Sequence, residues 1–310
     1  MKALVTGGAG FIGSNIVDRL IDLGHTVSIL DDLSSGRRAN IHPRATLIHL
    51  GLLSEGMEQA VVDFKPDVIL HHAAQINVRA AVTDPAYDAG VNILGSIKLY
   101  AAAVRARCAK VIYASSGGAC YGDPPRIPAD ENTPIRPQSP YGASKYTAEK
   151  YLQLYGDLYG LRFTVLRYAN VYGPRQDPHG EAGVTAIFSE QMLDGKRPTI
   201  FGDGTKTRDY VFVEDIVRAN ILALDKGDGG VYNIGTGREV SDYELFRAVR
   251  DAVGLTFEPE YADFRKGEVR RVALDASKAR KELGWSAAVS IEQGIPRAVA
   301  YYRAKRKAAV

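Results

Sequence analysis

Eight residues near the start of the chain, Thr6-Gly7-Gly8-Ala9-Gly10-Phe11-Ile12-Gly13, constrain its fold more than any others. They follow a short apolar run, Lys2 to Val5. They precede a stretch, Ser14 to Leu23, in which Ile16, Val17, Leu20 and Leu23 fall on one helical face. Gly24-His25 closes that helix in the usual way. Strand, glycine turn and helix in this order form a cradle for a dinucleotide pyrophosphate. Gly7, Gly10 and Gly13 let the backbone turn tightly and approach the phosphates. The helix N-terminus supplies N–H donors and a positive dipole. A glycine-rich stretch alone is often a bare loop, but here strand, spacing and helix agree.

The alternation continues. Strands are expected at residues 25–30, 46–50, 67–71, 110–114 and 162–167. Helices are expected at 56–63, 91–106 and 139–159. This pattern implies an α/β chain with a parallel sheet covered on both faces, and with the opening cradle it implies a Rossmann-like, doubly wound fold. After Tyr172-Gly173-Pro174 the loops lengthen, and helical patches follow at 185–194, 213–224, 242–252 and 277–283. Residues 1–170 are therefore expected to form the dinucleotide lobe, and 171–310 mainly a smaller α/β substrate lobe. Part of 209–235 is expected to return to the first lobe.

Composition narrows the partners. The 310 residues are 45% apolar, enough for a substantial core. The 39 basic and 36 acidic side chains leave a net charge of +3, which gives no reason to invoke nucleic acid. The basic run Arg303-Ala304-Lys305-Arg306-Lys307 reads as a solvated tail. Cys108 and Cys120 make neither a disulfide framework nor a metal-ligand spacing, so no metal is expected and a reducing cytoplasm fits. The run Ala3-Leu4-Val5 is too short for a signal peptide or membrane span, so a soluble protein without membrane partners is expected.

Asp31 and Asp32 end the second strand, about 20 residues beyond the glycines. A carboxylate there accepts hydrogen bonds from the adenosine ribose and repels a 2′-phosphate, which favours NAD over NADP. Arg37 and Arg38 nearby keep NADP open. His72-Ala73-Ala74 ends the fourth strand with small residues, suited to backbone passing close to a cofactor. Tyr141 and Lys145, at i and i+4, share a helix face. An ammonium there is expected to lower the phenol pKa, so that Tyr141 can take a proton from a substrate hydroxyl. By itself such a pair more often marks an exposed helix face.

Ser139-Pro140-Tyr141-Gly142-Ala143-Ser144-Lys145, following the glycine fingerprint, resembles the short-chain dehydrogenase/reductase family. Leu166 to Pro174, Arg208-Asp209-Tyr210-Val211 and Asn233-Ile234-Gly235-Thr236-Gly237 resemble its extended branch, which acts on nucleotide sugars. Gly173 to Val184 is similar to the 4-epimerases of that branch. The resemblance implies a UDP-hexose substrate, bound NAD and a homodimer. It implies interconversion of UDP-glucose and UDP-galactose through a transient 4-keto sugar, with Tyr141 as acid and base.

The third catalytic residue departs from the usual pattern. The branch places a Ser or Thr four residues before a Tyr-Gly, and here that position is Gly117. The neighbouring hydroxyl, Ser116, is assigned, with Ser115 in reserve. Dehydratases and decarboxylases of the branch carry acids after this hydroxyl, whereas Gly117-Gly118-Ala119 carries none. By the same resemblance Phe11, Ile12, Ser35, Gly36, Gln75, Asn92 and Tyr168 join the cofactor residues. Asn170, Val184, Phe201, Arg208, Arg265 and Glu268 join the substrate residues. Gly51-Leu52 stands where relatives often have Gly-Asp, so a hydrogen bond to adenine is expected to be missing. Val272 takes the place of a gate on the sugar's C2 substituent, so an N-acetylated sugar is expected to fit. A 4-epimerase of UDP-N-acetylglucosamine or UDP-glucuronate, or a nucleotide-sugar dehydrogenase or reductase, remains open.

Overall fold

The structure, a computed structural model, describes residues 1–178, 183–264 and 269–307. It opens with β1 (Lys2–Thr6), α1 (Phe11–Asp22), β2 (Thr26–Leu30), β3 (Thr46–Ile48), α2 (Met57–Phe64) and β4 (Val68–His71). Two short helices, α3 (Val78–Thr83) and α4 (Pro85–Ala89), lead through a π-helical stretch, Gly90–Leu94, into α5 (Gly95–Arg105). Next come β5 (Lys110–Ser116), α6 (Gly117–Tyr121), α7 (Pro140–Tyr159), β6 (Arg162–Tyr168) and β7 (Asn170–Tyr172). Then follow α8 (Val184–Leu193), β8 (Thr199–Phe201), β9 (Thr207–Arg208), β10 (Tyr210–Phe212), α9 (Val213–Asp225) and β11 (Gly230–Ile234). The last elements are β12 (Val240–Ser241), α10 (Asp242–Val253), β13 (Glu260–Ala262), α11 (Ser277–Leu283) and α12 (Ile291–Lys307).

Seven strands make the central sheet in the order β11-β6-β5-β4-β1-β2-β3, and every neighbouring pair is parallel. Buried strands covered on both faces explain the apolar runs: all four residues of β4 are buried. On one face Ile16, Val17 and Leu20 of α1 pack with Ile216, Ala219 and Ala223 of α9 and with Trp285. On the other, Met57 and Val61 of α2 pack with Leu99 of α5 and Ala148 and Leu152 of α7. A separate core joins Phe188 and Met192 of α8, Leu245, Phe246 and Val249 of α10, and Ile295 and Val299 of α12. The strand order reverses between β1 and β4. In sheets of this kind, ligands bind beyond the carboxyl ends of the strands at that reversal.

Helix α7 forms where its local signals place it. The Ser139 hydroxyl caps it by accepting from Gly142 N at 3.2 Å, Pro140 starts it, and Gly160 ends it in the left-handed conformation. Two segments differ from the sequence reading. Residues 78–89 are helical, capped by Asn77, which accepts from Ala80 N at 2.8 Å, and by Asp84, which accepts from Tyr87 N at 2.9 Å. Residues 303–307 are not a solvated tail but the last turn of α12. There the Arg306 guanidinium pairs with Glu190 at 2.5 Å and Asp194 at 2.9 Å.

Candidate active site

The glycine turn is packed backbone against backbone. Gly7 has φ +69°, and a Cβ there would lie 2.7 Å from Ala73 N. A Cβ on Gly13 would lie 2.2 Å from the Gly7 carbonyl oxygen. Gly10 is the N-cap of α1, with no side-chain cap and no acid in the first turn. Phe11 and Ile12 open the helix, so their N–H groups and the dipole face outward toward an anion. This is the cradle a dinucleotide pyrophosphate requires.

The two aspartates after β2 part company. Asp31 is buried, with Oδ2 accepting from Ala9 N at 2.9 Å and Oδ1 from Leu33 N at 2.8 Å. It therefore staples the glycine loop to the strand end. Burial pushes its carboxyl up. Gly36 fits beneath it, since a Cβ there would lie 2.6 Å from Asp31 Oδ1. Asp32 is exposed beside the exposed Ser35, and its Oδ1 accepts from Ser34 N at 2.9 Å. Gly51 abuts Asp32, and Leu52 is buried in the core rather than turned to the cofactor side.

Thr6, which the sequence reading passed over, ties β1 to β4 at the strand reversal. Its hydroxyl accepts from His72 N and Ala73 N, both at 3.1 Å, so it donates to His71 Nδ1 at 2.8 Å. His71 then carries its proton on Nε2, toward Ser96 Oγ at 3.0 Å, and Ser96 donates to the Asn92 carbonyl at 2.6 Å. His72 Nε2 meets the Tyr168 hydroxyl at 3.1 Å, which also accepts from Asn220 Nδ2 at 2.7 Å. Tyr168 is thus an inward-facing core residue beside the loop that holds Ala73, Ala74 and Gln75. Asn92 bonds Gln75 through both ends of its amide, Oδ1 accepting from Gln75 N at 2.9 Å and Nδ2 donating to Gln75 O at 3.0 Å. Asn92 Nδ2 also reaches Ser144 Oγ of α7 at 3.1 Å.

Tyr141, Lys145 and Ser116 come together. The Ser116 side chain hydrogen-bonds the Tyr141 phenol. Burial pushes that phenol above its ordinary value, reinforced by Cys120 and Asp88 and opposed by Ser116. The expectation that Lys145 depresses the phenol is corrected: desolvation dominates both groups. Lys145 itself is lowered to about 8 by burial, partly offset by Cys120, Glu149 and Asp88. Its ammonium sits 4.5 Å above the Tyr113 ring. The adjacent serines separate cleanly. Ser115 donates inward to Glu149, which forms a buried ion pair with Arg167 at 2.7 Å.

On the substrate side, Asn170, Gly118, Val272, Ala169, Asp209 and Leu274 line one small cavity. Buried Asp209 accepts from Thr236 N at 2.9 Å, Gly237 N at 3.0 Å and Leu274 N at 3.1 Å, which explains why two distant motifs belong together. Arg208 donates to the Thr207 carbonyl at 2.7 Å. Val184 is the first residue of α8, and Phe201 ends β8 beside Ala262. Arg265 and Glu268 lie outside the described residues. Among the described residues no cluster of His, Cys, Asp or Glu can hold a metal ion.

A dinucleotide cradle at a strand reversal, facing a phenol, an amine and a hydroxyl that can move a proton on an alcohol oxygen, defines a nicotinamide-dependent enzyme of the short-chain dehydrogenase/reductase type. The chain belongs to the NAD dependent epimerase/dehydratase family, whose family model matches residues 3–235. It is 48% identical over 311 residues to a UDP-glucose 4-epimerase of Mycolicibacterium smegmatis, covering 98% of this chain and 99% of that one. It superposes with a TM-score of 0.96 on a Thermotoga maritima UDP-glucose 4-epimerase crystallised with UDP-glucose, at 46% identity over 99% of this chain and 100% of that one. For a Thermus thermophilus UDP-glucose 4-epimerase in complex with NAD, the TM-score is 0.93 at 44% identity, over 98% of this chain and 99% of that one.

Proposed function

We propose that the protein interconverts UDP-glucose and UDP-galactose by inverting C4 of the sugar, with NAD as its cofactor. One observation carries epimerisation over elimination of water, namely the side-chain-free loop beside Tyr141. A Cβ on Gly117 would lie 2.5 Å from Leu274, so that position has no room for an acid. Gly118 faces Val272 and Asn170 and presents no side chain to the cavity. Elimination calls for an additional acid and base there, whereas reversible oxidation at C4 calls for neither.

Gly7, Gly10 and Gly13, with the N-terminus of α1, would hold the pyrophosphate, and Asp31 or Asp32 the adenosine ribose. NAD bound there supplies a reversible hydride acceptor. The proton steps belong to the chain. Tyr141 takes the proton of the 4-hydroxyl, Ser116 hydrogen-bonds the same oxygen, and the Lys145 ammonium stabilises the phenolate as it forms. Once the 4-keto sugar presents its other face, Tyr141 returns the proton. A phenol that burial keeps protonated is suited to that return, and an amine lowered to about 8 is poised near neutral pH.

Asn170 and Arg208, with Arg265, supply donors and charge for the diphosphate. Phe201, Val184 and Glu268 serve the uridine. Residues 1–170 with part of 209–235 form the cofactor lobe in this reading, and most of 171–310 the sugar-nucleotide lobe. The exposed apolar residues Val82, Tyr87, Leu94, Tyr151, Leu154 and Leu158 suit the contact of a homodimer. Among the described residues no helix is long and apolar enough to cross a membrane. Cys108 and Cys120 are buried and free, which suits a reducing cytoplasm.

The test is Tyr141→Phe, purified with its NAD content measured and incubated with UDP-glucose. NMR of the C4 configuration should show no interconversion. Full retention of activity overturns the assignment.

A further inference from the structure

Behind the catalytic helix lies a carboxylate that the reaction as described does not use. Asp88, on α4, is 1% exposed. Its Oδ1 accepts from Gln75 Nε2 at 3.0 Å and Asn92 Nδ2 at 3.1 Å, whereas Oδ2 is buried without a hydrogen-bond partner. A buried carboxylate left half-satisfied is costly and calls for a reason.

Its surroundings supply one. Helix α4 packs against α7, and the cation that Asp88 meets there is Lys145. The other groups facing Lys145 from each packed element leave its charge uncompensated. Glu149, also on α7, is neutralised by its ion pair with Arg167. Cys120, on α6, has its thiol pushed up to about 12 by burial and stays neutral. His71 and His72, at the end of β4, are held neutral by burial. Tyr113 of β5 offers only its ring, and Tyr141 is protonated.

We propose that Asp88 is a positioning residue for the Tyr141–Lys145 pair, a carboxylate behind the catalytic helix whose charge balances the Lys145 ammonium and whose hydrogen bonds fix Gln75 and Asn92 beside it. It touches neither sugar nor cofactor and acts through Lys145. The proposal rests on the reading of Tyr141 and Lys145 as the proton-handling pair.

The experiment is the pH dependence of kcat for the NAD-loaded enzyme in wild-type, Asp88→Asn and Asp88→Glu forms, with thermal melts. Asn is isosteric and can keep both bonds to its oxygen. Removing the half-paired charge should therefore leave stability unchanged or raised. Without the anion the ammonium loses its proton more readily, so the alkaline limb moves to lower pH, by about 1 unit. Asp88→Glu keeps the charge, so it loses rate with the limb unmoved. An Asp88→Asn enzyme that does not fold, or whose alkaline limb stays at the wild-type pH, makes Asp88 a structural brace and overturns the proposal. Those outcomes leave the assignment of Tyr141 intact, because that assignment falls only if Tyr141→Phe is active.

Discussion

Ser115 and Ser116 are consecutive on β5 yet serve opposite sides: Ser115 donates to the buried Glu149, and Ser116 hydrogen-bonds Tyr141. Replacing each should therefore cost different things. Ser116→Ala is expected to lower kcat about 100-fold with the melting temperature unchanged. Ser115→Ala strips a donor from Glu149 and is expected to cost about 1–3 kcal/mol of stability with kcat largely kept. Steady-state kinetics and thermal melts on both variants check the contrast, and a reversed pattern would make Ser115 the working hydroxyl.

Gly13 and Gly7 touch where any side chain would intrude, so Gly13→Ala should disturb the cradle before it disturbs the sheet. The Cβ would press on the Gly7 carbonyl, a backbone atom that cannot step aside cheaply. The variant is expected to purify folded but with little NAD, read as nucleotide released on acid denaturation. A full complement of NAD would contradict it.

Stability should fall on the acid side through the histidines at the end of β4. Burial holds His72 neutral down to about pH 3, whereas unfolded it takes a proton near its ordinary 6.5, and His71 is displaced the same way. Between those values the unfolded chain binds more protons. Stability therefore rises with pH across that window, by about 1.4 kcal/mol per pH unit per histidine, and levels off above it. Melting temperatures at about pH 5 and pH 7.5 check this, and His72→Gln should flatten the slope.

Val272 and Gly118 face each other across the small cavity with little bulk between them. Turnover of UDP-N-acetylglucosamine in a coupled assay is expected, and Val272→Tyr should suppress it more than turnover of UDP-glucose. Absence of any N-acetylhexosamine turnover in the wild-type enzyme would show that the space is closed by other residues.

Leu154 and Leu158, on the exposed side of α7, should lie in a subunit contact. Sedimentation is expected to give about twice the 33.7 kDa of one chain, and Leu154→Arg to halve that mass. A wild-type monomer would remove the homodimer.

What could be read from the chain was what neighbouring residues decide. The β1-glycine-α1 unit, the caps of α7 and the Tyr141–Lys145 face all follow from signals a few residues apart. Asn77 and Asp84-Pro85 were legible caps for α3 and α4, but a run without strong apolar periodicity hid them. Asp209 was harder: its partners Thr236, Gly237 and Leu274 arrive from distant loops, so the motif could be matched but not explained. The ionisation of Tyr141 was misjudged because adjacency suggested a Coulombic effect, whereas burial, a property of the whole packed site, sets the direction. Asp31 likewise looked like a ribose ligand alone until its bonds to Ala9 and Leu33 revealed a brace.

The seventh strand of the sheet, β11, comes from Gly230–Ile234, and Trp285 seals the same core with its Nε1 donating to the Asp215 carbonyl at 2.8 Å. The first lobe therefore cannot finish during synthesis of its own consecutive residues. A nascent chain halted before Trp285 would leave the ribosome with an open sheet edge and an uncovered helix layer, so maturation awaits nearly the whole polypeptide.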